Sequence, residues 1–202
     1  MKKGLIITLG IVGLFILMVF GIVSWGIGSY NGLVTNQEAV NSQWAQVENV
    51  YQRRSDLIPN LVKVVQGVAN FEKSTLTDVI NARASATQMK IDPKNLTQDQ
   101  INKFQQNQQG LGQALGRLMV VVEKYPELKA TQNFTELQAQ LEGSENRCTV
   151  ERMTFNQVAQ TYNVSLRSFP TNIIAGMFGF TPKPYFKADE GANKAPKVDF
   201  KF

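Results

Sequence analysis

Residues 5–27, LIITLGIVGLFILMVFGIVSWGI, contain no charged side chain. As a helix rising 1.5 Å per residue, this run reaches roughly 34 Å, enough to cross a hydrocarbon core of about 30 Å. A secretory signal has a shorter apolar part, about 7–15 residues, followed by a small-x-small cleavage site. Trp25, Gly26, Ile27, Gly28 and Ser29 offer no such site, and no cysteine lies near for lipid attachment. The run therefore reads as an uncleaved single transmembrane helix. Lys2 and Lys3 precede it, whereas the first cations after it are Arg53 and Arg54. By the positive-inside rule, residues 1–4 are a short cytoplasmic N-terminus and the chain from residue 28 lies outside the cytoplasm; taking the chain as bacterial, the membrane is the inner one. Trp25 and Tyr30 fit an aromatic belt at the far interface.

Beyond the anchor about 170 residues remain, one ordinary domain able to bury a core. The chain carries 21 Lys+Arg against 16 Asp+Glu, and Lys2 and Lys3 account for two of the +5. The remaining excess is weak and interleaved with carboxylates, so no nucleic-acid partner is expected, while mild attraction to anionic lipid headgroups is. With no histidine and one cysteine, zinc sites built on those ligands and a disulfide within the chain are excluded. Cys148 falls on an apolar helical position and reads as a small buried hydrophobe. Asn95, Asn133 and Asn163 each begin an N-x-S/T triplet, which matters only in a glycosylating pathway.

Long helical patterns follow the anchor. Val40, Trp44, Val47, Tyr51 and Ile58 lie on one stripe interrupted only by Arg54. Pro59 has no N–H and disfavours helical angles at Ile58, so the chain either turns back there or a long helix kinks. Leu61, Val65, Val68, Leu76, Val79 and Ala84 form a second face, and Pro93 breaks the loop that follows. Thr97 with Gln100 reads as a capping box opening a third helix. Its seam is Ile101, Phe104, Gln108, Leu111, Leu115, Leu118, Val122 and Tyr125. Asn133 with Glu136 repeats the capping logic. Phe134, Leu137, Leu141, Cys148, Phe155, Val158, Tyr162 and Phe169 then stripe a fourth helix up to Pro170. Four such helices bury their stripes only against one another, which predicts an all-α chain, the anchor leading into an antiparallel up-and-down four-helix bundle over residues 28–186. An even number of helices returns the end of the fourth to the membrane side.

That return gives meaning to residues 171–186, TNIIAGMFGFTPKPYF. Ile173, Ile174, Met177, Phe178, Phe180, Tyr185 and Phe186 are too many apolar side chains for a free loop and too short a run to span a bilayer. The segment either contacts lipid or a neighbouring subunit, or caps the open end of the bundle core. Residues 187–202 read as a flexible tail whose last residues, VDFKF, alternate and can add to a partner's sheet edge.

YNGLV at 30–34, QRRSDLIPNLV at 52–62, LGQALGRLMVVVEKYPELKA at 111–130, NFTELQAQLEGSENR at 133–147 and NVSLRSFPTNIIAGMFGF at 163–180 together resemble the LemA family of bacterial membrane proteins. The resemblance covers nearly everything from residue 30 to 186 and implies an anchored four-helix bundle. It implies no established activity, only accessory roles beside membrane metalloproteases and envelope-stress proteins. Family members often carry histidine where this chain has Phe71, before Glu72, which removes any metal or proton role through that position. Cys148 replaces a larger apolar residue, a change of packing.

Arg53, Arg54, Asp56, Glu72, Arg83, Arg117, Glu123, Glu145, Arg147 and Arg152 lie in or beside the apolar stripes. Glu72, Glu123 and Glu145 invite comparison with carboxylate-bridged di-iron bundles, but those need Glu-x-x-His pairs, and this chain has no histidine. The residues instead read as ion pairs fixing which helices meet, since a buried charge without a partner is costly. Replacing Arg54 or Glu145 alone then destabilises the fold. Gly110, Gly112 and Gly116 sit inside a helical seam at the wrong spacing for a nucleotide loop. Ser144, Thr149 and Ser165 have no base partner for nucleophilic catalysis. These observations lead to no catalytic site, no cofactor and no metal. They favour a self-associating scaffold or adaptor partnering membrane proteins, with a lipid-binding or membrane-remodelling protein acting through residues 171–186 as the alternative.

Overall fold

The computed structural model describes residues 2–68 and 71–188. Among these it forms six helices and no strand: α1 (Lys2–Gln66), α2 (Lys73–Thr87), α3 (Gln98–Val122), α4 (Pro126–Lys129), α5 (Gln132–Arg167) and α6 (Thr171–Met177), with a 3-10 turn at Pro93–Asn95. The fold is all-α, as the stripes require. The VDFKF tail lies outside the described residues.

Anchor and first bundle helix are one element. At 1.5 Å per residue, the 65 residues of α1 extend about 98 Å. Pro59 does not turn the chain. It cannot donate to the Ser55 carbonyl four residues back, and Arg83 of α2 fills the gap, its Nε donating to Ser55 O at 2.9 Å. The turn comes only after Gln66. The Thr97 capping box forms in full: Thr97 Oγ1 accepts the Gln100 N–H, and Gln100 Oε1 accepts the Thr97 N–H. The second box does not form, because α5 already begins at Gln132, which places Asn133 inside the helix.

The bundle length of α1 runs beside α5, and α2 beside α3. The core divides in two. The distal half gathers Ile58, Leu61, Val65, Leu76, Val79, Leu111, Leu118 and Phe134. The membrane-proximal half gathers Val40, Trp44, Val47, Tyr51, Ile101, Phe104, Phe155 and Tyr162. Between them lies a polar layer of Arg54, Ser55, Gln108 and Ser144, all buried. The short α2 contributes only to the distal half, where Ala86 is buried and Ala84 faces outward. In the proximal half the wall is completed by Ile91 and Leu96 from the loop after α2 and by Phe186 from the chain beyond α6.

Candidate functional site

The residues singled out in 171–186 separate into three environments. α5 leaves its helix at Ser168, so Phe169 falls off the stripe and stands 82% exposed. α6 then folds back onto the point where α1 leaves its apolar run. Ile174 is half-buried beside Gly26, close enough that a Cβ there would lie 3.8 Å from Ile174 Cδ1. Tyr30 meets the rings of Phe178 and Phe180 at 4.8 and 5.6 Å. Gly179, at φ +72°, adopts the left-handed conformation that lets the chain reverse after α6. The opposite side of the same element stays uncovered, with Ile173 and Met177 at 51 and 72% exposure, while Phe178 packs one side on Tyr30 and keeps the rest exposed. This foot adjoins an anchor whose large apolar side chains from Leu5 to Ile27 are themselves exposed. A short amphipathic element beside an apolar span, with its outer side uncovered, has the geometry of a piece lying in the headgroup and acyl boundary.

Tyr185 and Phe186 do not share that surface. Phe186 is buried among Trp44, Phe104 and Phe155, with ring centroids at 5.9, 6.4 and 5.4 Å. Tyr185 is half-buried and its hydroxyl accepts from Asn163 Nδ2 at 2.9 Å. The reason is the chain between them: residues 181–187 run as an extended strap between α3 and α5, held by polar side chains. Lys183 is buried, and its Nζ donates to the carbonyls of Pro93 and Lys94 at 2.9 and 2.8 Å. Burial holds that ammonium below the usual lysine range, and the nearby Asp92 carboxylate counters part of the shift. Asn156, Asn163, Gln105 and Lys183, which do this holding, have no signal in the apolar stripes. Gln108, polar inside an otherwise apolar seam, donates instead to the Ala86 carbonyl at 3.3 Å.

The charged residues form separate pairs. Arg54 meets Glu145 at 2.6 Å between α1 and α5, Arg83 meets Asp56 at 4.0 Å, Arg117 meets Asp78 at 3.8 Å, and Glu123 meets Lys129 at 2.7 Å. Glu72 accepts locally from Ser74. Arg152 lies over the Phe186 ring and donates to the Lys187 carbonyl. Arg53 and Arg147 are exposed. Among the described residues, no three Cys, Asp or Glu side chains converge as metal ligands. An open cleft of about 930 Å³ lies where the strap ends, lined by Arg54, Gln108, Gly112, Glu145 and Arg152. Phe71, at the position of the family histidine, is buried with its ring 5.0 Å from that of Tyr125, a packing role.

Cys148 is buried in the proximal core, and burial pushes its thiol up to about 11. The thiolate is the nucleophile, so at pH 8 the group stays protonated and shielded. The folded chain is expected to react with a thiol reagent at pH 8 at least 100-fold more slowly than the same chain in guanidinium, which releases one equivalent. Equal rates would show the proximal core to be open.

A LemA family profile matches residues 43–200. The chain is 29% identical over 175 residues to magnetosome protein MamQ 2 of Paramagnetospirillum magneticum, covering 78% of this chain and 64% of that protein. Magnetosome protein MamQ of Magnetospirillum gryphiswaldense is 29% identical over 174 residues, with the same coverage. Protein LemA of Metamycoplasma hominis is 22% identical over 180 residues, covering 88% of this chain and 78% of that one. The chain thus spans under two thirds of the length of the magnetosome proteins it matches.

Proposed function

The chain belongs to the LemA family, and from that premise and the geometry of its foot we propose that it is a non-enzymatic scaffold of the bacterial envelope. In this reading α1 anchors it, α6 stands on the lipid surface, and the bundle is presented to membrane proteins and to further copies of the chain. The observation that carries the reading is the chain from α6 to Phe178 folded back onto α1 at Gly26 and Tyr30 with Ile173 and Met177 turned outward. A bundle held in a bilayer by one spanning helix alone has no second contact to set its tilt. A second contact at the membrane surface fixes its orientation and height, which is what a scaffold needs and a diffusing enzyme does not. Lys2 and Lys3 support a cytoplasmic N-terminus with the bundle on the far side. That relatives are named for the magnetosome supports reading the chain as part of a cellular structure.

The second reading, a protein that binds or remodels the bilayer itself, draws on the same outward side chains. Photo-crosslinking amino acids placed at Ile173 and Met177 in intact cells separate the two, with buried Ala175 as the control position. The scaffold is expected to yield lipid adducts together with one or two defined membrane proteins. Lipid alone would discard the scaffold and leave the bilayer-acting protein. Neither product would discard both.

A further inference from the structure

The strap is bound in a way unusual for a helical bundle: amide side chains grip its backbone. Asn163 of α5 donates from Nδ2 to the Lys183 carbonyl and accepts the Lys183 N–H on Oδ1, both at 2.8 Å. Asn156, two turns earlier on α5, treats Phe186 in the same two-bonded way at 2.9 Å each. Gln105 of α3 does so for Lys187 at 2.9 and 3.3 Å. Gln98 takes the Tyr185 carbonyl at 3.0 Å. A carboxamide places one donor and one acceptor side by side, so each pair meets a residue's N–H and C=O as a neighbouring strand would. Such bonds recognise extended backbone and are indifferent to sequence. Side chains of the strap are read at three points: the carbonyls of Pro93 and Lys94, which receive the Lys183 ammonium, Asn163 Nδ2, which donates to the Tyr185 hydroxyl, and the ring of Trp44, Phe104 and Phe155, which receives Phe186 under the Arg152 guanidinium.

The sequence pattern of the strap occurs twice in the chain. Residues 182–187 read PKPYFK, and residues 196–201 read PKVDFK. The proline, both lysines and the phenylalanine recur at the same spacing, and no other lysine of the chain has phenylalanine three residues on. The two residues that differ, Pro184 and Tyr185 against Val198 and Asp199, correspond to half-buried positions outside the Lys183 and Phe186 seats, and Asp199 offers the Asn163 amide a carboxylate acceptor where Tyr185 offers its hydroxyl. Among the described residues this groove is formed once, and residues 182–187 occupy it.

We propose that residues 196–201 are a second ligand for this groove and dock in that of another copy of the chain, in exchange with its residues 182–187, linking neighbouring copies through their C-terminal tails. The eight residues between the two ligands span at most about 28 Å, and a four-helix bundle is about 20 Å wide, so the tail can reach a bundle alongside. Anchoring in one bilayer raises the effective concentration of neighbours. The inference rests on the scaffold reading only for gathering copies in one membrane.

The test uses the full chain in detergent micelles and a fluorescent peptide of residues 194–202. The peptide is expected to bind the Phe186→Ala protein at least tenfold more tightly than the unaltered protein, because the home ligand has lost its anchor. Peptides carrying Phe200→Ala or Lys197→Glu should bind at least tenfold more weakly. Absence of Phe200-dependent binding to a Phe186→Ala protein that keeps its helical circular dichroism overturns the proposal. A second measurement does not depend on that variant folding. Benzoylphenylalanine replacing Phe200 in membranes holding two differently tagged copies should form adducts with α3 or α5 of the other copy, suppressed by excess peptide. Adducts confined to one chain, or none, overturn docking between copies. Because the peptide arm needs no membrane, its failure leaves the contact of α6 with lipid standing or falling on its own crosslinks.

Discussion

Trp44→Ala is expected to lower the stability of the folded chain by about 3–5 kcal/mol, the range for deleting a large buried aromatic side chain. Trp44 is completely buried and is the residue on which the proximal core converges: its ring lies 5.5 Å from Phe104, 5.6 Å from Phe155 and stacked at 5.9 Å on Phe186. Against a total stability on the order of 5–15 kcal/mol, this is a large fraction. The loss also empties one wall of the Phe186 seat, so amide hydrogen exchange over residues 181–187 should rise more than over the distal half of the bundle. Guanidinium unfolding of the full chain in micelles, followed by helical circular dichroism, gives the first quantity and exchange mass spectrometry the second. A loss below about 1 kcal/mol, the typical effect of an arbitrary substitution, would mean that the strap refills the space and that the proximal core is not built around this indole.

The second large effect is an asymmetry within one ion pair. The Arg54 side chain is 9% exposed and that of Glu145 54%. Removing Glu145 leaves a guanidinium buried without its partner. Breaking a fully buried pair costs about 3–5 kcal/mol, and the exposure of Glu145 and the open cleft beside it reduce this to roughly 1–3 kcal/mol for Glu145→Ala. Arg54→Met is the milder change, against the expectation from sequence that losing either partner destabilises, because Glu145 is half-exposed. It keeps an apolar stem between the Tyr51 and Ile58 turns, removes the charge that needed desolvating, and lets Glu145 return to water, so its effect should fall within about 1 kcal/mol of zero. With Arg54→Met already in place, adding Glu145→Ala should change little, and that non-additivity is the signature of a direct pair. The reverse order, Arg54→Met the more damaging, would show that the guanidinium earns its place through other bonds.

That pair also shows how far the sequence could be read. Arg54 was visible as the one break in an apolar stripe, and its burial follows from the stripe's geometry. Its partner was visible only as one of ten charged candidates, because periodicity places a residue on a face without saying which face of which other helix it meets. Pro59 is a similar case. Its chemistry announces a freed carbonyl at Ser55, but whether the helix survives depends on Arg83, 28 residues away, arriving to donate. The foot was legible as too much apolar surface in too short a run. Its division was not, since Ile174 turning to Gly26 and Phe186 entering the core both depend on the path of α5 and of the strap.

What the sequence determined alone is what solvent and local geometry determine: an uncharged run of 23 residues that is long and apolar enough to cross hydrocarbon, four apolar stripes at helical spacing, and a capping box at Thr97. Each is decided by residues within a few turns of one another, so no knowledge of the fold is needed. The tertiary structure decided where the strap lies, which carbonyls receive Lys183 and which rings enclose Phe186. Those contacts join residues far apart in the chain, Lys183 to Pro93 by 90 positions and Phe186 to Trp44 by still more. Their amide and ammonium groups could pair equally well with water until the packed helices excluded it and left the extended chain as the partner within reach.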